Sequence, residues 1–299
     1  MRHLPNWLAP HVAALRVVLA LTLITGLAYP LGMTVLALLP GLNHQAQGSL
    51  VTVNGKVVGS SLIGQNFTDA KGDPLVQYFQ PRPSDAGAAG YDPTASGASN
   101  LGMESDVDTL PAPGKPNSGT LSLLSQVCSR SLAVGQFNGV SGARPYCTST
   151  GVGAVLGVFR ADGLTGRITE VVSLNEECPT VPFVRTYQGM TVQCATYGAD
   201  YSKALITPIR GNAPANPVVP SDAVTASGSG LDPQISPQYA RLQAPRVATA
   251  RGVPVATVLN LIQQYTTGRA LGVIGGAGVN VLELNLALDR SYPYISKKD

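Results

Sequence analysis

From Val17 to Leu39 the chain reads VVLALTLITGLAYPLGMTVLALL, 23 residues without one charged side chain, and no charge follows until Lys56. A helix of that length is roughly 34 Å long, enough to cross a hydrocarbon core of about 30 Å. A soluble helix of this length would show a polar face, and this one has none. The pattern therefore predicts a transmembrane helix over 15–38, with a kink at Pro30 whose freed carbonyl a neighbouring helix could take. A cleaved secretory signal would have a shorter apolar core, and the best cleavage site here is the weak Ala46-Gln47-Gly48.

Past the span the periodicity changes. Ser49–Val53 and Lys56–Ile63 are β-rich runs joined by Asn54-Gly55. That pair predicts a hairpin, because a type I′ turn needs positive φ at both central residues. Gln65–Gly102 then loses all periodicity. Pro81-Arg82-Pro83, Asp92-Pro93 and the Ser/Gly/Asn run to Asn100 are turn chemistry, so a long ordered loop is expected. Asp106–Ser118 reads as a linker and 120–211 as a β-rich segment. Within that segment, hairpins are predicted around Ala161-Asp162-Gly163 and around Gln188-Gly189.

A second Pro-rich joint, Ala213–Pro220, precedes a Ser/Gly loop. Ser236-Pro237 then opens a helix, with Ser at the N-cap and Pro at the first turn. Pro245 is expected to start a second helix that ends at Gly252, and Pro254 a third. Val255, Val258, Leu259 and Ile262 give the third its apolar face, and Gly268 stops it. The alternation of Leu282, Leu284, Leu286 and Leu288 predicts a strand over Val279–Leu288, with a helix as the alternative. The fold class is α+β: one N-terminal transmembrane helix plus a mixed extracytoplasmic domain. The organisation expected is a cytoplasmic lead 1–14, the span 15–38, a main domain from 45–105 and 213–299, and an inserted β-rich subdomain 120–211.

Charge adds a direction. Arg2 and Arg16, with His3 and His11, precede the span, and nothing basic follows before Lys56. The positive-inside rule puts the N-terminus in the cytoplasm and the bulk of the chain outside, at the plasma membrane. Charged residues are 12% of the chain, about half the usual share, which suits a domain that covers surface against partners. No Lys/Arg cluster interleaves with aromatics, so nucleic acid is not expected. The four cysteines, Cys128, Cys147, Cys178 and Cys194, all lie beyond the span. No CxxC pair or nearby histidine suggests zinc. An even count in an oxidising compartment reads as two disulfides, and short loops favour Cys128–Cys147 with Cys178–Cys194, against buried thiols as the alternative.

Catalytic motifs are scarce. Gly228-Ser229-Gly230 lacks the first glycine of a nucleophile elbow, since Ala226 stands there, and no histidine follows His44 to serve as its base. There is no GxxxxGK[ST] phosphate loop, and Gly275-Gly276-Ala277-Gly278 lacks the strand–turn–helix setting of a dinucleotide site. The three histidines do not converge, so no metal site is expected. Asp92 and Asp232 each precede a proline, where aspartate commonly starts a turn.

An ordered set of short motifs is more specific. Gly59-Ser-Ser-Leu-Ile-Gly-Gln65, Tyr78-Phe79 with Arg82-Pro83-Ser84, Tyr91-Asp92, Ser96-Gly97 and Ser99-Asn-Leu-Gly102 come first. Val224–Pro233, Ile235-Ser-Pro237, Pro245-Arg-Val247, Ala250-Arg-Gly252, Thr267-Gly-Arg269, Val279-Asn-Val281 and Leu284–Leu288 follow. The set resembles the C subunit of the Kdp potassium-transporting P-type ATPase over about residues 10–105 and 215–290. Met103-Glu104 departs from the Pro-Thr usual there, and the connection to Val224 is longer than in compact members.

The resemblance implies an accessory, stabilising subunit of an ATP-driven potassium-uptake complex, without a catalytic site of its own. Its partners would be a channel-like potassium-binding subunit, a P-type ATPase catalytic subunit and a small single-span subunit, in the membrane. ATP and potassium enter through the complex, and no cofactor is expected on this chain directly. An assisting effect on ATP binding is described for the family. With only about 14 residues on the cytoplasmic side by the charge rule, such an effect would be indirect. The partner-facing candidates are Arg82, Ser84, Tyr91, Asp92, Ser96 and Asn100 in one loop and Thr225, Ser227, Ser229 and Asp232 in the other. The competing reading is a free-standing, membrane-anchored extracytoplasmic binding or hydrolytic protein.

Overall fold

The computed structural model describes residue 5 and residues 7–177, 181–269 and 271–295. The chain divides into two compact units, 1–62 and 63–299. In the first, helix α1 (Ala9–Leu23) runs through a widened π-helical turn (Ile24–Ala28) into α2 (Tyr29–Ala37). The 29 residues from Ala9 to Ala37 form one apolar helix with no buried residue, the single membrane-span candidate among the described residues. The helix is not broken at Pro30. The wide turn comes just before it, and the Thr25 and Thr34 hydroxyls donate to the Leu21 and Pro30 carbonyls. A short helix α3 (Asn43–Ala46) leads into the antiparallel hairpin β1 (Leu50–Val53) and β2 (Lys56–Ser60). Asn54 and Gly55 have φ of 50° and 76°, the turn geometry their sequence predicts.

The second unit is mixed helix and sheet. Its first regular helix, α4 (Leu123–Asn138), occupies the start of the segment read as β-rich, and corrects that reading. The cause is visible in its buried face, which is made of Ser125, Cys128, Ser131 and Gly135 rather than aliphatic residues. Small residues let another backbone approach: a Cβ on Gly135 would lie 2.5 Å from the Gly142 nitrogen. A hydrophobic periodicity cannot report such a face, although the end signals are present. The Ser122 hydroxyl accepts from the Ser125 N–H, and Gly139 closes the helix at φ 67°. The disulfide Cys128–Cys147 ties α4 to the chain that follows, as expected. The expected partner of Cys194, Cys178, lies outside the described residues.

The predicted hairpins are both present. Strands β3 (Val155–Asp162) and β4 (Thr165–Glu177) pair antiparallel, as do β5 (Thr186–Tyr187) and β6 (Met190–Ala195). With β7 (Leu205–Pro208) they form a sheet in the order β5-β6-β4-β3-β7, in which β4 and β6 run parallel. Alternate residues bury opposite faces: Val155, Val172 and Leu174 on one side, Leu156, Val158 and Val171 on the other.

The remaining core is helical. A two-residue strand β8 (Gln234–Ile235) leads into α5 (Pro237–Arg251), capped by the Ser236 hydroxyl on the Tyr239 N–H. One helix stands where two were expected. Pro245 lies on its exposed side, where solvent can take the carbonyl that the missing N–H frees. Helix α6 (Val255–Gln264) follows, and ends before Gly268, giving way to the two-residue strand β9 (Thr266–Thr267). Strand β10 (Gly278–Asn280) lies between β8 and β9.

The strand expected over Val279–Leu288 is, after Asn280, helix α7 (Val281–Ser291). Its buried positions include Val281, Leu284, Asn285 and Leu288, the helical spacing of i, i+3, i+4 and i+7. The leucine alternation is coincidental, because polar Asn285 is also buried. Asn280 caps the helix at the Glu283 N–H. Phe79, Ile235, Tyr239, Val247, Ile262 and Leu284 lie in the core that these elements share.

Candidate partner interface

Between Ser60 and Pro116 no residue belongs to a named helix or strand. A backbone so irregular has no ladder to take up its N–H and C=O groups, so other groups must bond those that are buried. For Val76–Gln80 the helices supply them. Asn285 of α7 accepts from the Phe79 N–H at 2.9 Å and donates to its carbonyl at 3.0 Å. Gln243 of α5 does the same for Gln80, at 2.7 and 3.0 Å. Arg246 donates to the carbonyls of Val76 and Tyr78, and Arg251 to that of Gln77. Two amides and two guanidiniums thus replace a neighbouring strand.

Sequence reasoning did not select these four residues as site candidates. The available signal was polar side chains on helices that otherwise face a core: Gln243 and Asn285 are at most 1% exposed. Arg246 packs 4.2 Å above the Phe137 ring, and burial lowers its pKa to about 10. Arg251 is paired with Asp289 at 2.9 Å.

That anchored segment delivers the chain to Arg82, where the two predicted loops meet. The Arg82 guanidinium reaches Asp232 at 3.3 Å and donates to the carbonyls of Thr225 and Ala226. Ser84 donates to the Gly230 carbonyl at 2.6 Å and accepts from the Tyr91 N–H at 2.8 Å. Tyr91, held at φ 59°, is buried and donates its hydroxyl to the Arg82 carbonyl; burial raises its pKa. Ser96 donates to the Ser229 carbonyl, which also accepts from the Gly97 N–H. Ser229 donates to Asp232 at 3.4 Å and stands 3.5 Å from the Ser227 hydroxyl, and Thr225 donates back to Ser221.

The arrangement sorts the ten candidates. Arg82, Ser84, Tyr91, Ser96, Ser227, Ser229 and Asp232 use polar groups on the two loops themselves, while the Thr225 hydroxyl turns back to Ser221 and its carbonyl accepts from Arg82. Asp92 and Asn100 stand outside that lattice, both exposed, with Asn100 at φ 57°. Asp92 accepts from the Thr94 hydroxyl and N–H, at 2.6 and 2.8 Å, which holds its carboxyl below the usual range. A depressed carboxyl steadies the turn above its unfolded pKa, and that contribution fades as pH falls through the lowered value.

The glycines explain the closeness of the two loops. A Cβ on Gly64 would overlap Tyr91 and the Asp232 carbonyl, and one on Gly230, at φ 70°, would meet Ala86 at 2.8 Å.

The family model for the K+-transporting ATPase c chain, KdpC, matches residues 11–109 and 196–290, which include both loops and all four anchoring side chains. A potassium-transporting ATPase KdpC subunit of Mycobacterium tuberculosis is 35% identical over 277 residues, 93% of this chain and 96% of the relative. That of Kineococcus radiotolerans is 35% identical over 291 residues, 97% and 98% of the two chains. That of Gemmatimonas aurantiaca is 37% identical over 278 residues, 92% and 90%. These alignments also span most of the α4–β6 segment that the family model passes over. With its apolar helix and both halves of its irregular lobe inside the matched stretches, this chain belongs to the KdpC family of potassium-transporting ATPase subunits.

Proposed function

We propose that the two-loop lobe, Arg82–Asn100 with Thr225–Asp232, is the surface by which this accessory subunit braces a potassium-transporting P-type ATPase. The partner it faces is a channel-like potassium-binding subunit, with a catalytic ATPase subunit and a small single-span subunit completing the complex. The observation that carries the reading is the lattice of side-chain bonds to backbone across the lobe. A chain that held these loops only as connections would not need to fix both against each other. The lobe is an assembly surface rather than a reaction centre, and any effect on ATP passes through subunit contacts. Exposed Asp92 and half-exposed Asp232 would also bias cations toward a pore mouth.

The same reading places the N-terminus in the cytoplasm and residues beyond about 42 outside. Arg2 before the span and Arg16 near its N-terminal end support it, as does a disulfide in the second unit, since such bonds persist in oxidising compartments. The test is assembly. Shortening both loops to Gly/Ser connections should leave the subunit in the membrane but remove it from the complex in a pull-down. Retention of the shortened chain in a complete complex would refute the interface.

A further inference from the structure

Beside the lobe, and sharing its Arg82, lies a cleft of about 250 Å³. Its walls come from four stretches: the irregular loop gives Asn66 and Arg82, α4 gives Arg130 and Phe137, the turn at Ser221–Ala223 gives Ala223, and α5 gives Tyr239. Apolar carbon dominates the lining, yet two guanidiniums stand in it. Each has a single, long carboxylate contact: Arg82 to Asp232 at 3.3 Å and Arg130 to Asp85 at 3.4 Å. A third, Arg246, lies behind the Phe137 ring and has no carboxylate within 4.0 Å among the described residues.

Two polar groups at the cleft also lack partners. The Arg82 Nε–H is buried without an acceptor. Tyr239 is 3% exposed, and its hydroxyl makes no hydrogen bond with the described residues. That hydroxyl opens onto the cleft, where it can donate to an acceptor.

We propose that this cleft binds a small organic acid, its oxyanion held by Arg82, Arg130 and Tyr239 and its apolar body against Phe137. Guanidinium pairs suit a planar carboxylate, and the apolar wall excludes a bare inorganic ion as the best ligand. Because α4 and α5 are joined across it, an occupied cleft also holds the middle segment to the helical core. The inference shares Arg82 with the bracing lobe but does not need the partner subunits.

The test uses the full chain in nanodiscs of zwitterionic lipid, with para-fluorobenzoate followed by fluorine NMR. Saturable binding with a Kd of about 1 mM or tighter is expected. Tyr239→Phe and Arg130→Gln should each weaken it by about threefold to tenfold. Tyr239→Phe removes a hydroxyl with no partner in the fold, so its melting temperature without ligand should match the parent. Absence of saturable binding, affinity in both variants equal to the parent's, or displacement by inorganic phosphate at equal concentration would each overturn the proposal.

Discussion

The irregular lobe and the five-stranded sheet belong to one unit but are held in opposite ways. In the sheet, backbone bonds to backbone, and both faces of β3 and β4 are covered by aliphatic side chains. In the lobe, the backbone of Val76–Gln80 bonds to amides and guanidiniums, and loop is tied to loop by serine hydroxyls and one arginine. A ladder spreads its stability over many equivalent bonds. A side-chain lattice places it in a few residues, each serving two or more backbone groups. Single substitutions should therefore cost far more in the lobe than in the sheet.

The largest effect is expected from Asn285→Ala, which strips both the N–H and the C=O of buried Phe79. A loss of about 4 kcal/mol follows from two unpaired backbone groups and a small cavity, read by urea unfolding. A loss below about 1 kcal/mol would mean that the lobe does not rely on its amide anchors. Reducing Cys128–Cys147, whose cysteines are 19 residues apart, should cost about 3 kcal/mol, measured by thermal melting with and without reductant. This is the strongest single effect expected near the sheet, and it acts through the unfolded chain rather than the ladder.

Gly230→Ala should cost about 2 kcal/mol, combining a positive φ with contact against Ala86. The same variant should also lower complex recovery, because it pushes the two loops apart. At the other extreme, Leu164→Ser at the tip of the β3–β4 hairpin changes a side chain that is 69% exposed, and should stay within about 0.5 kcal/mol. If the hairpin substitution proved as damaging as the lobe substitutions, the contrast between the two regions would fail.

How far the sequence carried the reading differs between these regions for the same reason. The hairpins at Asn54-Gly55, Ala161-Asp162-Gly163 and Gln188-Gly189 were legible because turn residues and flanking alternation are local signals. Helix α4 was not, because it packs through Ser, Cys and Gly, and α7 was misread because Asn285 is buried as fully as its leucines. Both misses arise where a polar or small side chain does a core residue's work. The ten lobe candidates fall on two stretches that meet in the fold, but the sequence did not point to the anchors Gln243, Arg246, Arg251 and Asn285 beneath them.

The sequence alone determined the apolar helix, its length and the charge bias around it, since a span is set by uninterrupted composition. It also determined the family, through short motifs in a set order. Only the tertiary structure decided that the loops at Arg82–Asn100 and Thr225–Asp232 meet, and that helices more than 150 residues away in sequence supply the missing strand. That decision lies in pairwise geometry between distant polar groups. No periodicity along the chain records such geometry, because each partner is chosen by where the fold places an unpaired carbonyl or N–H.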